Sequence, residues 1–226
     1  DVSLSNGEVR YRLHGYELKV PLKTTNAVIH AQPAEITTQV NVDWGDYLQI
    51  HGGGQMKEPF GEQLVDVMIE GKAPTLSWIL PIVPSLQKLA GQLSMKLETT
   101  GQLSKGLNVG FNMNLVNGEI YNAEYNSLIK NIVLNLNLQK GQPILVVDGG
   151  LTAGTGRLAM NGKIDLKSFE SSGKVQGNGL LLADSSNVKV MASPNIDIKL
   201  NKTGAVMTGN LTVPDLRFIY KSSDDP

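Results

Sequence analysis

The sequence of 226 residues lacks several features by which protein functions are usually recognised. It has no cysteine, which excludes a disulfide framework and any metal site built on thiolates. Aromatic residues make up only 5% of the chain, and no apolar run reaches the roughly 18 residues that a membrane-spanning helix needs. The 20 basic and 21 acidic residues are interspersed, so the sequence has no basic stripe of the kind that binds nucleic acid.

Signatures of catalysis and of cofactor binding are also missing. The glycine-rich stretches at 52–54 and 150–156 are not followed by the Lys-Ser/Thr pair or the helix of a phosphate loop. The histidines have no partner at a metal-ligand spacing, and no serine lies in a G-x-S-x-G elbow. Asp43 and Asp46 flank Trp44 in a stretch typical of a turn rather than of a glycosidase pair. We therefore expect no enzyme, no metal site and no cofactor.

Alternation of apolar and polar residues is the strongest signal that is present. Residues 107–115, LNVGFNMNL, alternate with a period of two, which predicts a β-strand with one apolar and one polar face. Similar patterns recur between hairpin-type dipeptides such as Asn117-Gly118 and Asn161-Gly162, and this spacing predicts an antiparallel meander. The positions assigned to the apolar face are Leu93, Met95, Leu97, Leu107, Val109, Phe111, Met113, Leu115, Ile132, Leu134, Leu136, Leu138, Leu158, Met160, Ile164, Ile196, Ile198, Leu200, Leu211 and Val213.

One stretch departs from the strand pattern. Residues 74–90, PTLSWILPIVPSLQKLA, place apolar residues near helical spacing, while Pro81 and Pro84 forbid one long helix. We expect two short helical turns, the second beginning near Pro84 and ending before Gly91. The chain is thus predicted to be one continuous β segment over 1–226, with a possible subdivision into 1–73 and 91–226 around the helical piece.

The pattern leaves open what covers the apolar face. In a β-sandwich or a barrel, two apolar faces cover each other. In an open sheet the face meets a ligand instead, because exposed apolar patches larger than a few hundred Å² mark binding surfaces.

Four stretches, taken in order, carry a resemblance to a known family. They are GQLSMKLETTGQLSKGLNVG, FNMNLVNGEIYNAEYNSLIKNIVLNLNL, VVDGGLTAGTGRLAMNGKIDL, and the ending SPNIDIKL followed by GNLTVP. With their glycine-spaced strands, L-x-N-G turn and SP…VP ending, they resemble the C-terminal half of the TamB family, the AsmA-like envelope proteins. The resemblance covers Leu64 to Phe218. It departs from the family at Asp215, where a basic residue is common.

The resemblance implies an all-β fold, namely an elongated, curved antiparallel sheet that forms a taco-like open groove with an apolar interior. It implies a periplasmic segment of a longer protein that reaches the outer membrane and is held in the inner membrane by an N-terminal anchor absent from this chain. The implied function is movement of phospholipid between the two membranes, which supports outer-membrane integrity, with acyl chains bound along the apolar positions given above.

An alternative role is open within the same resemblance. The segment would then be a structural or chaperone scaffold for the assembly and secretion of outer-membrane β-barrel proteins. Its partner would be a TamA-like barrel of the translocation and assembly module, and client β-strands would pair with open sheet edges.

Overall fold

A computed structural model describes residues 2–13 and 16–219 as one antiparallel sheet with a single 3-10 helix. The strands are β1 (Val2–Leu13), β2 (Tyr16–Ala31), β3 (Glu35–Asp43), β4 (Gln49–Lys57), β5 (Leu64–Ala73), β6 (Lys88–Gln102), β7 (Gly106–Asn122), β8 (Ser127–Leu138), β9 (Ile144–Ala153), β10 (Gly156–Asp165), β11 (Ser171–Asn178), β12 (Leu180–Asp184), β13 (Val188–Asn201) and β14 (Gly204–Phe218). The 3-10 helix, Ser77–Ile82, lies between β5 and β6. This is the all-β, curved and open sheet that the resemblance implies.

The strand order follows the chain almost without exception. Each strand from β1 to β10 pairs with the next, as in a meander. Near the end, β11 and β12 are two pieces of one row, and both pair with the same edge of β13. The two pieces are separated by Gly179, whose φ of 60° lies in the left-handed region that glycine adopts at no steric cost. β14 pairs with the other edge of β13, so the sheet ends in β1 on one side and in β14 on the other.

Dipeptides that predicted hairpin turns lie inside strands instead. Asn161-Gly162 belongs to the interior of β10, and Asn117-Gly118 to a bulge in β7 where the register shifts. At Gly118 the reason is steric, because a Cβ atom there would lie 2.6 Å from the Cβ of Ile132 on β8. The glycine therefore makes room for a neighbouring apolar side chain rather than turning the chain.

The described residues form almost no closed core. The hydrophobic side chains that are buried are Val20, Val42, Ala73, Leu138, Ala153, Leu180, Ala183 and Ala192. The accessible surface is 14578 Å², whereas a compact protein of 24.4 kDa would expose about 10,000 Å². All strands belong to one sheet, and no second sheet packs on it among the described residues. The sandwich and the barrel are therefore excluded.

The stretch at 74–90 is helical only in its first part. The 3-10 helix ends at Ile82, and the second helical turn expected near Pro84 is wrong. Instead, the amide of Leu86 donates to the carbonyl of Val83 in a tight turn at 3.0 Å. β6 begins already at Lys88 because its backbone pairs there with Tyr121 of β7, and ladder hydrogen bonds replace the helical ones.

Candidate functional site

The apolar face is organised as rungs that cross the strands. Directly opposite residues of an antiparallel pair lie on the same face, so the register shows which side chains form a row. The first rung is Ile69, Leu97, Phe111, Leu138, Leu145, Ile164, Ser171, Leu200 and Ala205. The second is Gly71, Met95, Met113, Leu136, Val147, Gly162, Gly173, Ile198 and Met207. The third is Ala73, Leu93, Leu115, Leu134, Gly149, Met160, Val175, Ile196 and Gly209.

Most apolar positions predicted from the sequence lie in these three rungs. The predicted positions outside the rungs extend the same face. Leu107 and Val109 continue it along β7 beyond the first rung, and both are exposed. Ile132 and Leu158 lie beyond the third rung on β8 and β10 and are half-buried. Leu211, which is opposite Pro194, and Val213 lie on the edge strand β14 and are exposed.

The apolar face is the more enclosed of the two faces. On β8, Leu134 and Leu136 are half-buried and Leu138 is buried, whereas Asn135 and Asn137 between them are exposed. On β5 the same alternation separates half-buried Val65, Val67 and Ile69 from exposed Leu64 and Met68. Since no second layer lies on this face, the difference in exposure indicates a sheet that is concave toward the apolar side.

Sequence reasoning missed several residues of this face. Val65, Val67 and Ile69 were not assigned because both faces of β5 carry apolar residues, and Leu145 and Val147 lie in an unbroken apolar run. On β14, Met207 belongs to the second rung, while its neighbour Val206 is opposite Lys199 on the polar face. Only the partner strand distinguishes such pairs, so the signal lies in the register rather than in the sequence of one strand.

Glycines in the rungs lie beneath methionines of the neighbouring strands. A Cβ atom on Gly71 would be 2.5 Å from Met95 Cε, and one on Gly149 would be 2.7 Å from Met160 Cε. The flexible thioethers thus fill the space that the glycines leave. As a result, the floor of the groove is continuous and adaptable, and it has no deep pocket at these points.

The two ends of the strands form two lips of the groove, and one lip is covered. We call this the closed lip; it consists of the turns at 44–48, 74–87, 123–126, 154–155 and 185–187. Over it, the 3-10 helix contacts β2 and β6, and the ring of Trp78 meets that of Tyr47 edge-on at 6.2 Å. Farther along, β12 crosses the ends of β8 and β9, where the amide of Asp184 donates to the carbonyl of Tyr125 at 2.9 Å.

The opposite lip consists only of turns. We call it the open lip; it comprises the turns at 32–34, 58–63, 103–105, 139–143, 166–170 and 202–203. Four of its apolar side chains are exposed, namely Phe60, Leu103, Leu166 and Phe169. The groove is therefore accessible from this side.

Charges on the polar face pair with one another. Lys96 reaches Glu98 at 2.6 Å and Glu70 at 3.7 Å, and its hydrogen bond with Glu98 raises the pKa of Lys96 and lowers the pKa of Glu98. A hydrogen bond from Lys88, at 2.9 Å, lowers the pKa of Glu119 in the same way. The pairs of Lys96 with Glu70 and of Lys88 with Glu119 join neighbouring strands, whereas that of Lys96 with Glu98 lies within β6.

Neither a metal-ligand cluster nor a membrane-spanning helix occurs in the residues that the structure describes. Within 2–13 and 16–219, no three His, Asp or Glu side chains are grouped so that they could hold a metal ion. None of the helices in these ranges has the length and apolarity needed to cross a membrane.

A comparison with protein families finds a match in the C-terminal part of the chain. The family model TamB C-terminal domain matches residues 148–226, which include β10 to β14 and most of β9. No curated protein and no solved structure matches the chain.

Proposed function

Residues 148–226 assign the chain to the TamB family of envelope-associated proteins, and from this premise we propose that it is a groove segment that carries phospholipid between the inner and outer membranes. The segment would lie in the periplasm, and an inner-membrane anchor elsewhere in the protein would hold it. Its contribution to outer-membrane integrity would be the supply of lipid.

The observation that supports this proposal is the uninterrupted apolar surface. From β5 to β14 the three rungs contain no charged residue, and Ser171 is their one polar side chain. At about 4.8 Å per strand, the rungs extend for about 38 Å. An apolar surface of this length with no protein cover is rare on a monomer and indicates a ligand that completes its burial.

Acyl chains have the chemistry that such a surface needs. Each CH₂ moved from water onto apolar side chains contributes about 0.8 kcal/mol, so two chains are held firmly without a fixed pocket. Because leucine, isoleucine, valine and methionine repeat along the rungs, successive positions are nearly equivalent for the ligand. A lipid can then move along the groove without meeting a single dominant site, and no catalytic group is required.

Photo-crosslinking tests the proposal directly. A photoreactive residue at position 111 or 134 would lie on the rungs, whereas one at position 112 or 135 would lie on the polar face. We expect lipid to be captured at 111 and 134 and not at 112 and 135, with mass spectrometry identifying the adduct. Equal capture at both pairs of positions, or capture of no lipid, would contradict the proposal.

A second candidate function rests on the edge strand β14. Its residues 204–213, GAVMTGNLTV, are all exposed and contain no charged side chain, although edge strands usually carry charges that prevent further pairing. Such an edge suits addition of a β-strand from an outer-membrane barrel protein during its assembly. Position-specific crosslinks from β14 to a barrel partner, without lipid adducts at 111 and 134, would favour this scaffold function.

A further inference from the structure

The apolar face loses its cover at the edge strand β14. Met207 of the second rung is 65% exposed, whereas Ile198, directly opposite on β13, is half-buried. Leu211, farther along β14 on the same face, is 60% exposed. The difference arises because β13 has paired strands on both sides, while β14 pairs only with β13 among the described residues. A further strand beside β14 would cover these side chains as β14 covers those of β13.

The backbone of β14 is open to such a strand. Residues 204–214 are all exposed, and no charged residue occurs between Gly204 and Pro214. The part that can pair regularly is 204–212, because the register shifts between Thr212 and Asp215 and because Pro214 has no amide to donate. This part therefore presents a regular row of backbone donors and acceptors without the charges that normally block further pairing.

The opposite edge of the sheet, β1, carries such charges. Glu8 and Arg10 lie within β1 and form an ion pair with each other. Charged side chains on an edge strand disfavour the approach of another strand. Head-to-tail pairing of β14 with β1 of another copy is therefore disfavoured, whereas pairing of two β14 strands over 204–212 brings no charged residues of these segments together.

Symmetry determines how two β14 strands can meet. When a two-fold axis perpendicular to the sheet relates them, the strands run antiparallel and both apolar faces stay on the same side. Directly opposite residues then share a face, so the pairing brings together the apolar-face residues of the two copies, which are Ala205, Met207, Gly209 and Leu211. It equally brings together the residues on their polar faces, which are Val206, Thr208 and Asn210. The edge is thus self-complementary, as an interface with two-fold symmetry requires.

We propose that two copies of this chain associate through their β14 strands, with residues 204–212 paired antiparallel about a two-fold axis. The partner is a second copy because its β14 offers an uncharged edge of equal length, with its apolar side chains on the matching face. The joined sheet continues the apolar face of one copy directly into that of the other. The inference goes beyond the proposed lipid function and does not depend on it.

Charges placed on β14 test this interface in the 226-residue chain. One variant carries Val206→Lys, Thr208→Lys and Asn210→Lys, and a second carries Val206→Glu, Thr208→Glu and Asn210→Glu. On β13, Lys199 is opposite position 206 and Asp197 is opposite position 208, so each variant gains one attractive and one repulsive neighbour within its own chain. The control has the same number of added lysines on the polar face of β8 and β10, away from the edge, as Asn135→Lys, Asn137→Lys and Asn161→Lys.

Sedimentation velocity over a dilution series should show that the parent chain is in an equilibrium between monomer and dimer, and the control should behave in the same way. Each charged variant alone should have a dissociation constant raised by about tenfold or more, because like charges then lie opposite one another across the axis. An equimolar mixture of the lysine and glutamate variants should restore the dimer. Salt near 1 M should strengthen association of the lysine variant, since the screening length falls to about 3 Å.

Other results would overturn the inference in distinguishable ways. A parent chain that stays monomeric at every concentration leaves the edge of β14 to a strand of another protein. Association that survives in both charged variants, or is lost in the control, shows that the copies meet elsewhere. A mixture that does not restore the dimer contradicts direct pairing of the two β14 strands, and growth beyond the dimer indicates a head-to-tail contact with β1. Circular dichroism verifies folding of each variant, and Thr208→Lys alone replaces a triple variant that does not fold.

Discussion

Leu134 lies within the third rung, between Leu115 and Gly149, and its replacement by arginine would place a charge on the proposed path of the acyl chains. An unpaired charge in apolar surroundings costs several kcal/mol, far more than one CH₂ contributes to binding. Folding should survive, because the open groove lets water and the long side chain relieve the charge. We expect Leu134→Arg to lose most of its co-purifying lipid while its thermal midpoint falls by only a few degrees.

The control for this change is Asn135→Arg on the polar face, which should keep both lipid and stability. Lipid content is measured by mass spectrometry and folding by circular dichroism. An unfolded Leu134→Arg protein would show that this position belongs to a closed core. A folded variant with normal lipid content would remove the third rung from the proposed lipid path.

Replacement by alanine at two glycines of the sheet, Gly156 and Gly71, is expected to lower the thermal midpoint by very different amounts. At Gly156 a Cβ atom would lie 2.3 Å from the carbonyl oxygen of Gly179 and 2.5 Å from the amide nitrogen of Leu180, and backbone atoms cannot move aside cheaply. At Gly71 the obstacle is the flexible end of Met95. We expect Gly156→Ala to lower the thermal midpoint by about 5 °C or more, and Gly71→Ala by no more than about 2 °C. Similar losses in the two variants would show that β12 does not pack tightly on β10.

At the scale of elements, strand existence was easier to predict than strand faces or ends. The sequence of β8 indicates which face is apolar because asparagines separate its leucines, and the exposure of its side chains alternates in the same way. β5 could not be assigned in this way, since LVDVMI is apolar on both sides and only pairing with β6 decides which residues form rungs. The helical turn expected at Pro84 was lost to tertiary pairing of Lys88 with Tyr121, which local spacing does not encode. The two lips could not be predicted either, because each consists of turns that are far apart in the sequence and come together only in the folded sheet.

The 3-10 helix offers a prediction about the closed lip. The indole Nε1 of Trp78 is shielded from solvent and has no hydrogen-bond partner, and a buried polar group left in this state costs about 1–3 kcal/mol. Trp78→Phe removes that group and retains an aromatic contact with Tyr47. We therefore expect this variant to be as stable as the parent or up to about 1 kcal/mol more stable in urea unfolding. Trp78→Ala, which removes the ring, should be less stable than the parent.

The measurement is best made by circular dichroism, because the fluorescence of the chain changes with Trp78. If Trp78→Phe is destabilised as strongly as Trp78→Ala, the indole N–H has a partner that stabilises the closed lip, such as an ordered water. That result would show that a hydrogen bond of the indole, rather than the ring contact with Tyr47, holds the 3-10 helix on the sheet.

For the whole molecule, exposed area is the quantity that separates an open groove from a sandwich. Folding one sheet without a second layer leaves each strand with one half-covered face, and the chain exposes about 4,500 Å² more than a compact protein of its mass would. Stability then depends on neighbouring strands, as in repeat proteins, rather than on a central core. A bound ligand along the rungs would bury part of the same apolar area, so the lipid-loaded chain should also be the more stable one.

The dimensions of the sheet give the last prediction. Its rows, counted with β11 and β12 as one, span about 58 Å at 4.8 Å per strand, and strands of 10 to 15 residues extend about 33 to 50 Å across. A slab of this size has a radius of gyration of about 21 Å, whereas a compact domain of 226 residues has one of about 17 Å. Small-angle scattering should give the larger value and an elongated distance distribution. The measurement needs a dilution series, because the uncharged edge of β14 can join two chains and raise the apparent size. A value near 17 Å after extrapolation to zero concentration would mean that the apolar face is covered by the protein itself, and no room would be left for lipid.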